Sequence, residues 1–228
     1  SRRGIFAMKL LLQAVLRVVS GFVLMALLLF LPAGGWQFWN AWLLCGALFI
    51  PMAAVGLLLW KKAPDLLQKR LNGGEQRTAQ KLVVFFSALL FVAMFLLAGW
   101  DFRFAFTRLP DWLAWAALVP FLLGYALFAE TMRENAWLSR SVEIQQDQKL
   151  VDTGVYGVVR HPMYTAVLLL YCAMPLILGS GAAFLVSLLF VPVLAARIRN
   201  EEALLDAELD GYREYKQKVR WRLVPYLW

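Results

Sequence analysis

Six long apolar runs, separated by short polar segments, dominate the sequence. They cover approximately residues 10–31, 36–59, 82–100, 112–130, 163–179 and 182–198. Each run is about 17–24 residues long, and a helix needs about 20 residues to cross the hydrocarbon core of a bilayer. The pattern therefore predicts an all-α integral membrane protein with about six transmembrane helices, in the range of five to six.

Two short turns predict how neighbouring helices pair. Residues 32–35, with one proline and two glycines, separate the first two runs, and residues 179–181 (Gly-Ser-Gly) separate the last two. Connections this short favour antiparallel helical hairpins. The first run has no small-residue cleavage site before Pro32, so we interpret it as a membrane helix rather than as a removable signal peptide.

The composition agrees with this class of protein. Apolar residues make up 61% and charged residues 17% of the 228 residues, whereas soluble domains average about 45–50% and about 25%. These values exclude a soluble domain, a disordered chain and a disulfide scaffold. Cys45 and Cys172 lie inside apolar runs and are expected to be free thiols. His161 is the only histidine, which excludes a site built from several histidines, and no metal is expected.

The net charge of +8 indicates membrane orientation rather than a nucleic-acid partner. The excess comes from two places, the four basic residues of 1–17 and the six basic against two acidic residues of 60–81. Basic residues beside apolar spans mark the cytoplasmic side of a membrane. We therefore expect both termini and the segments 60–81 and 131–162 to be cytoplasmic, and the 101–111 loop, whose charges cancel, to be outside. This predicts a multi-pass protein of the inner or plasma membrane of a bacterium, with the active site facing the cytoplasm.

No internal repeat or soluble segment interrupts the pattern, so residues 1–228 are predicted to form a single membrane domain. Residues 1–129 hold the N-terminal spans, and residues 130–228 hold the last hairpin, the tail and most of the polar side chains that could carry chemistry. Within the tail, Glu201–Val219 predicts a cytoplasmic amphipathic helix because its apolar residues recur at helical spacing. Such a helix lies on the membrane surface or closes over a site.

The segment Thr153–Tyr164 carries the clearest candidate chemistry. Pro162 suits the first turn of a helix, which places His161 near the N-cap and Arg160 at the membrane–water boundary. Free N–H groups at a helix N-terminus favour an anion, and arginine adds a bidentate donor for a carboxylate or phosphate. Tyr164 would direct its hydroxyl toward the same membrane–water boundary. The alternative interpretation is a capped helix end with a snorkelling arginine and an aromatic anchor.

A pair of carboxylates, Glu201 and Glu202, stands where the last span leaves the membrane. Taken alone, such a pair is typical of a solvated helix end. Because the last two spans form a tight hairpin, however, their cytoplasmic ends meet, and we expect the glutamates and the motif around Arg160 to face one interfacial pocket. The polar stretch Glu130–Arg140 either walls this pocket or forms an ordinary loop.

Taken in order, these motifs resemble the isoprenylcysteine carboxyl methyltransferase family and its phospholipid N-methyltransferase relatives. The family pattern has Gly-Pro-Tyr, then Arg-His-Pro-x-Tyr, a membrane hairpin, a Glu-Glu pair and a Tyr-rich tail that ends near a proline. The matching residues are Gly154, Val155, Tyr156, Arg160, His161, Pro162, Tyr164, Glu201, Glu202, Tyr212, Tyr215 and Pro225. The resemblance covers residues 130–228, and its two departures are Val155 in place of proline and Ala166 in place of a frequent glycine.

The resemblance implies S-adenosyl-L-methionine as the cofactor and methyl donor. It also implies a lipophilic small-molecule or prenylated acceptor that arrives from the bilayer, with membrane lipids as the other partners. Arg160 and Glu202 would be the catalytic residues, with Arg160 orienting an acceptor carboxylate and Glu202 balancing the arginine or anchoring polar groups of the cofactor. The residues that would bind the cofactor are Val151, Thr153, Gly154, Tyr156, His161, Pro162, Tyr164 and Glu201.

Several functions stay open at this point. The favoured hypothesis is methyl transfer to a carboxylate of an isoprenylcysteine-like or other lipophilic acceptor. A phospholipid or amine N-methyltransferase of the same architecture is the second, although an amine needs an acidic pocket or a base more than it needs Arg160. An NADPH-dependent, sterol-reductase-like enzyme is the third, and such enzymes are generally longer. A scaffold or transporter is the last, and no charged residue lies at the middle of a predicted span, where ion pathways usually have one.

Overall fold

The computed structural model describes residues 2–72, 78–135, 137, 144 and 147–228. Part of the polar stretch Glu130–Arg140, namely residues 136 and 138–140, lies outside these residues. The helices are α1 (Arg2–Ala33), α2 (Trp39–Lys62), α3 (Pro64–Asn72), α4 (Thr78–Phe104), α5 (Asp111–Glu134), α6 (Pro162–Ile177), α7 (Gly181–Leu188), α8 (Phe190–Glu208) and α9 (Tyr212–Lys218). A short 3₁₀ turn, Gly154–Gly157, precedes α6.

Five helical stretches of the described chain are long and apolar enough to cross a membrane. They are Phe6–Ala33, Trp39–Lys62, Gln80–Phe104, Asp111–Glu134 and, formed by α7 and α8 together, Gly181–Glu208. In each stretch no more than 28% of the apolar window is buried inside the protein, as expected for side chains that face lipid. The prediction of an all-α integral membrane protein with five to six spans is confirmed.

Helix α6, the predicted fifth span, has only 16 residues. It begins at Pro162, which fits the first turn, and it ends where the chain turns at Leu178 and Gly179. Helix α6 packs most extensively against α5, and it also contacts α7, while α1 contacts α2. Both predicted hairpins are therefore present.

Asp101 fastens the connection between α4 and α5 to the turn between α6 and α7. This carboxylate is 2% exposed. It accepts hydrogen bonds from the backbone N–H and the hydroxyl of Thr107 and from the hydroxyl of Ser180, the last at 2.6 Å. Ser180 in turn caps α7 by accepting the N–H of Ala183 at 3.1 Å. From sequence, Asp101 is only one of the loop charges that cancel; in the structure it is a buried junction.

The tail, residues 209–228, departs from the prediction of one helix over Glu201–Val219. Helix α8 ends at Glu208 and α9 begins at Tyr212. Gly211 adopts φ +80° between them, a left-handed conformation that glycine reaches without a steric penalty, so the chain changes direction there. Tyr212 and Tyr215 are buried and form a small core with Leu150 and neighbouring leucines. The tail therefore covers the protein rather than lying free on a surface.

We expect Asp101→Ala to weaken the fold at this junction. The change leaves the Ser180 hydroxyl and the Thr107 N–H without their acceptor, so the free energy of unfolding should fall by about 3 kcal/mol. The melting temperature in detergent should then fall by roughly 6–12 °C.

The matched control is Asp111→Ala. Asp111 forms an exposed pair with Arg108 at 3.6 Å, and exposed pairs contribute about 0–1 kcal/mol. Equal shifts for the two variants in a thermal unfolding scan would contradict a special role for Asp101.

Candidate functional site

A cavity of about 400 Å³ lies between the start of α6, the last turns of α5, one face of α8 and the tail. Its wall changes character along α8, whose cavity-lining residues Phe190, Leu194, Arg197 and Glu201 follow one another about one turn apart. The wall therefore passes from apolar to charged within roughly 16 Å. Further apolar lining side chains are Val84, Phe128, Met163 and Val167, and further polar ones are Asn135, Tyr156, Arg160, His161, Tyr164, Tyr212 and Tyr215.

The start of α6 is held against the tail by backbone hydrogen bonds. The N–H groups of Arg160 and His161 donate to the carbonyls of Trp221 and Arg222, each at 2.9 Å. The His161 carbonyl accepts the N–H groups of the next two helical residues after Met163. Fewer N–H groups are therefore open to an anion at this helix end than the sequence suggests.

Glu202 lies behind the cavity wall and is 5% exposed. Its Oε1 accepts a hydrogen bond from Nε of Arg160 at 2.8 Å and lies 3.2 Å from Nε2 of His161. Its Oε2 accepts from Nε of Arg222 at 2.9 Å. Because a buried carboxylate is costly unless it is paired and hydrogen-bonded, these contacts explain why Glu202 is tolerated there. The structure thus brings together Arg160, His161 and Glu202, which the predicted hairpin of the last two spans places in one pocket.

Arg160 is bound on two sides and is itself buried, at 8% exposure. Its Nη1 donates to the carbonyls of Val219 and Arg220, each at 2.8 Å. Together with the bond from Nε to Glu202, this fixes the plane of the guanidinium on the cavity wall. The Nη2 group makes no hydrogen bond to a described residue, so it is the part of Arg160 that a ligand could use.

The Tyr164 hydroxyl joins Glu201 to Arg197. It donates to Oε2 of Glu201 and accepts from Nε of Arg197 at 2.9 Å. The guanidinium carbon of Arg197 also lies 5.8 Å from the centre of the tyrosine ring. The first glutamate of the pair is thus held on the cavity wall by its own contacts, separate from those of Glu202.

The 3₁₀ turn before α6 is attached to the end of α5 by Glu134. The Glu134 carboxylate accepts the N–H of Val155 at 2.9 Å. Gly154, at φ +54°, lies so close to this carboxylate that any Cβ would overlap it. The turn also places Tyr156, whose hydroxyl accepts from the Asn135 side chain at 3.0 Å and whose carbonyl accepts from the Tyr215 hydroxyl at 2.7 Å.

Tyr212 and Tyr215 of α9 bring the tail onto the cavity. Both are buried, and burial raises the pKa of each phenol above its usual range, so both keep their protons at neutral pH. The Tyr215 hydroxyl is bound to Tyr156. The Tyr212 hydroxyl, in a side chain that lines the cavity, has no hydrogen-bond partner among the described residues.

Most of the residues expected to bind or react line the cavity. Those on its wall are Val151, Tyr156, Arg160, His161, Pro162, Tyr164 and Glu201. Glu202 contacts Arg160 and His161 from behind the wall, and Thr153 and Gly154 belong to the turn that supports Tyr156. Among the described residues, no cluster of three or more His, Cys, Asp or Glu side chains is arranged to hold a metal ion.

Arg197, Tyr212 and Arg222 are not among the site residues that the sequence predicts. Arg197 stands four residues before Glu201, a spacing that places both on one face of a helix, and this signal was available. Tyr212 fitted equally well into an amphipathic helix, and nothing in the sequence distinguishes Arg222 from the other basic residues of the tail.

Part of the sequence that forms this cavity matches a known protein family. Residues 112–209 match the family model of phospholipid methyltransferases. The match includes α5, the motif Arg160–Tyr164 and the glutamate pair, and it ends before Tyr212. The resemblance to the isoprenylcysteine carboxyl methyltransferases and their phospholipid relatives is confirmed over this region, and the match supports a methyltransferase that works in the membrane.

A solved structure resembles the whole chain. It is that of the eukaryotic intramembrane Ras methyltransferase ICMT (isoprenylcysteine carboxyl methyltransferase), which is 18% identical, with a TM-score of 0.50, and the match covers 95% of this chain and 85% of that one. At this identity the likeness shows the fold alone. No curated protein sequence matches the chain significantly.

We expect Gly154→Ala to destabilise the turn before α6. The added Cβ meets the Glu134 carboxylate at a positive φ, so the bond from Val155 to Glu134 should be lost and unfolding should become easier by more than about 1 kcal/mol. Gly157→Ala is the control, because its Cβ would only touch the Asp152 carbonyl at 3.4 Å. A thermal scan in which both alanine variants melt together would show that the approach to Glu134 is unimportant.

Proposed function

We propose that the protein is an S-adenosylmethionine-dependent methyltransferase that acts on a lipophilic acceptor held in the bilayer. The observation that carries the proposal is the cavity wall along α8, which is apolar at Phe190 and Leu194 and charged at Arg197 and Glu201. Such a wall suits a polar cofactor at one end and the apolar part of an acceptor at the other. The family match over residues 112–209 supports the same reaction class.

The polar end of the cavity fits S-adenosylmethionine. The buried Tyr212 hydroxyl lacks a partner in the described protein, and a buried polar group of this kind is stabilised when a ligand supplies its hydrogen bond. Glu201 offers a carboxylate to the amino or ribose groups of the cofactor. The other residues that would hold it are Val151, Tyr156, His161, Pro162 and Tyr164, with Thr153 and Gly154 shaping the supporting turn.

When bound, the cofactor would supply an electrophilic methyl group, and the protein would contribute mainly orientation. A single displacement needs the acceptor atom in line with the methyl group, and holding two reactants in place can provide most of the acceleration. We propose that Nη2 of Arg160 binds the carboxylate of the acceptor. Glu202 would fix the guanidinium from behind, so that the acceptor meets it in one orientation.

The acceptor that this arrangement favours is a carboxylate on an isoprenylcysteine-like or other lipophilic molecule. Methyl transfer to the amine of a phospholipid is the second candidate, and it is favoured by the phospholipid methyltransferase match and by Glu201, a carboxylate on the cavity wall. The basic segments 1–17 and 60–81 support a position for the cavity on the cytoplasmic side of the membrane.

Removing the Tyr212 hydroxyl should affect cofactor binding and stability in opposite directions. In Tyr212→Phe the affinity for S-adenosylhomocysteine, titrated by calorimetry on detergent-purified protein, should fall about three- to tenfold, the equivalent of one hydrogen bond. The ligand-free protein should be at least as stable as wild type, because an unpaired buried hydroxyl has been removed.

Tyr171→Phe is the matched control. The Tyr171 hydroxyl is also buried without a partner among the described residues, but Tyr171 does not line the cavity, so affinity should not change. Parallel titrations of the wild type with S-adenosylmethionine and NADPH test the proposal as a whole. Binding of NADPH and of neither adenosyl ligand would contradict it and favour a reductase.

The linkage of the transferred methyl group should identify the acceptor. Nanodiscs containing the protein would receive labelled S-adenosylmethionine with either an S-prenylcysteine or an amine-bearing phospholipid. A methyl ester releases labelled methanol in mild alkali, whereas an N-methyl group does not. We expect alkali-labile label with the prenylcysteine; alkali-stable label in the phospholipid would select the second candidate instead.

A further inference from the structure

Arg222 is bound to the site from a part of the chain that lies beyond the family match. Its Nε donates to Oε2 of Glu202 at 2.9 Å, the oxygen opposite to the one that contacts Arg160 and His161. The family match ends at residue 209. The carboxylate that sets the site is therefore held on one oxygen by matched residues and on the other by the tail.

The end of the tail holds Arg222 in place. The guanidinium carbon of Arg222 lies 5.2 Å from the centre of the Trp228 ring, within range of a cation–π interaction. The Trp228 carbonyl accepts the N–H groups of Arg222 and Leu223 at 2.9 Å and of Val224 at 3.2 Å. The Trp228 ring also packs against the main apolar core, so the end of the tail is fixed in position.

The backbone of Arg222 is fixed as well. Its carbonyl accepts the N–H of His161 at 2.9 Å, and the Thr165 hydroxyl donates to the carbonyl of Leu223 at 2.8 Å. Arg222 thus contacts Glu202 through its side chain and His161 through its main chain. Its side chain is 33% exposed, so it closes the outer side of a cluster that is otherwise buried.

We propose that Arg222, held by Trp228, is a positioning residue that sets the Glu202 carboxylate and through it the orientation of Arg160 and His161 on the cavity wall. The proposal rests on the proposed methyltransferase function. Without Arg222, one oxygen of Glu202 loses its partner, and the carboxylate is free to rotate toward Arg160. The cationic wall of the cavity would then lose its fixed geometry without losing any residue that touches a ligand.

The first test observes His161 directly in the ligand-free protein. Because the chain has a single histidine, a sample labelled with ¹⁵N-histidine gives one unambiguous set of imidazole signals. We expect Arg222→Gln to shift or broaden these signals, and Arg222→Lys, which keeps the charge toward Glu202, to restore them in part. Unchanged signals in Arg222→Gln would overturn the proposal.

The second test measures methyl transfer in nanodiscs with the acceptor found above. Arg222→Gln should lower kcat/KM tenfold or more, with Arg222→Lys intermediate. Trp228→Ala should lower it less, and Trp228→Phe, which keeps a ring beside Arg222, should lie close to wild type. Arg213→Gln removes the same charge from an exposed position of α9 and should leave kcat/KM unchanged.

A double variant separates positioning from general loosening of the tail. If Trp228 acts through Arg222, Trp228→Ala should have little further effect in the Arg222→Gln background. Independent, multiplying losses would show that the two residues do not act as one unit and would overturn the proposal. One outcome would contradict only the proposed function: the wild type binds no adenosyl ligand, but the His161 signals of Arg222→Gln still differ from those of the wild type.

Discussion

The arrangement of the site depends on the ion pairs and hydrogen bonds of the buried Glu202 carboxylate. It joins three segments that are far apart in sequence, the start of α6 through Arg160 and His161, its own helix α8, and the tail through Arg222. A buried carboxylate that loses one partner is left partly uncompensated, which costs far more than an exposed pair contributes. The cluster therefore acts as a single unit in which each segment fixes the position of the others.

The cluster around Glu202 also explains how a membrane protein with few polar residues can form a polar cavity. The helices contribute apolar lining residues such as Phe190 and Val167, and most of the polar ones lie near helix ends, in the segment before α6 or in the tail, with Arg197 in the middle of α8 as an exception. The Arg160 guanidinium donates hydrogen bonds to two carbonyls of the tail. The tail in turn places Tyr212 and Tyr215 against the cavity. Charges that would be costly in lipid are thus enclosed between protein surfaces, where they pair with one another.

Much of this architecture could be predicted from the sequence because lipid imposes a simple rule on helix length. The apolar runs identified the spans, and the Gly-Ser-Gly turn before α7 correctly placed Arg160 beside the glutamates. The partner of the second Glu202 oxygen could not be predicted, since Arg222 lies among several similar basic residues and its choice depends on the path of the tail. That path changes at Gly211, where periodicity alone predicts a continuous helix. Asp101 was equally hidden, because an acidic residue at a span end looks solvated until Ser180 and Thr107 are seen around it.

The length of α6 has a consequence for the depth at which a ligand is held. Its 16 residues rise about 24 Å, against a hydrocarbon core of about 30 Å. The Asp101–Ser180 junction fixes one end of α6 beside the connection of α4 and α5. Measured from that junction, the end of α6 that carries Arg160 and His161 lies about 6 Å short of the distance that a full span would cover. Under the proposed function, a lipid acceptor would need to be withdrawn from the bilayer by that much less, which avoids a cost of about 0.8 kcal/mol for every CH₂ that stays in place.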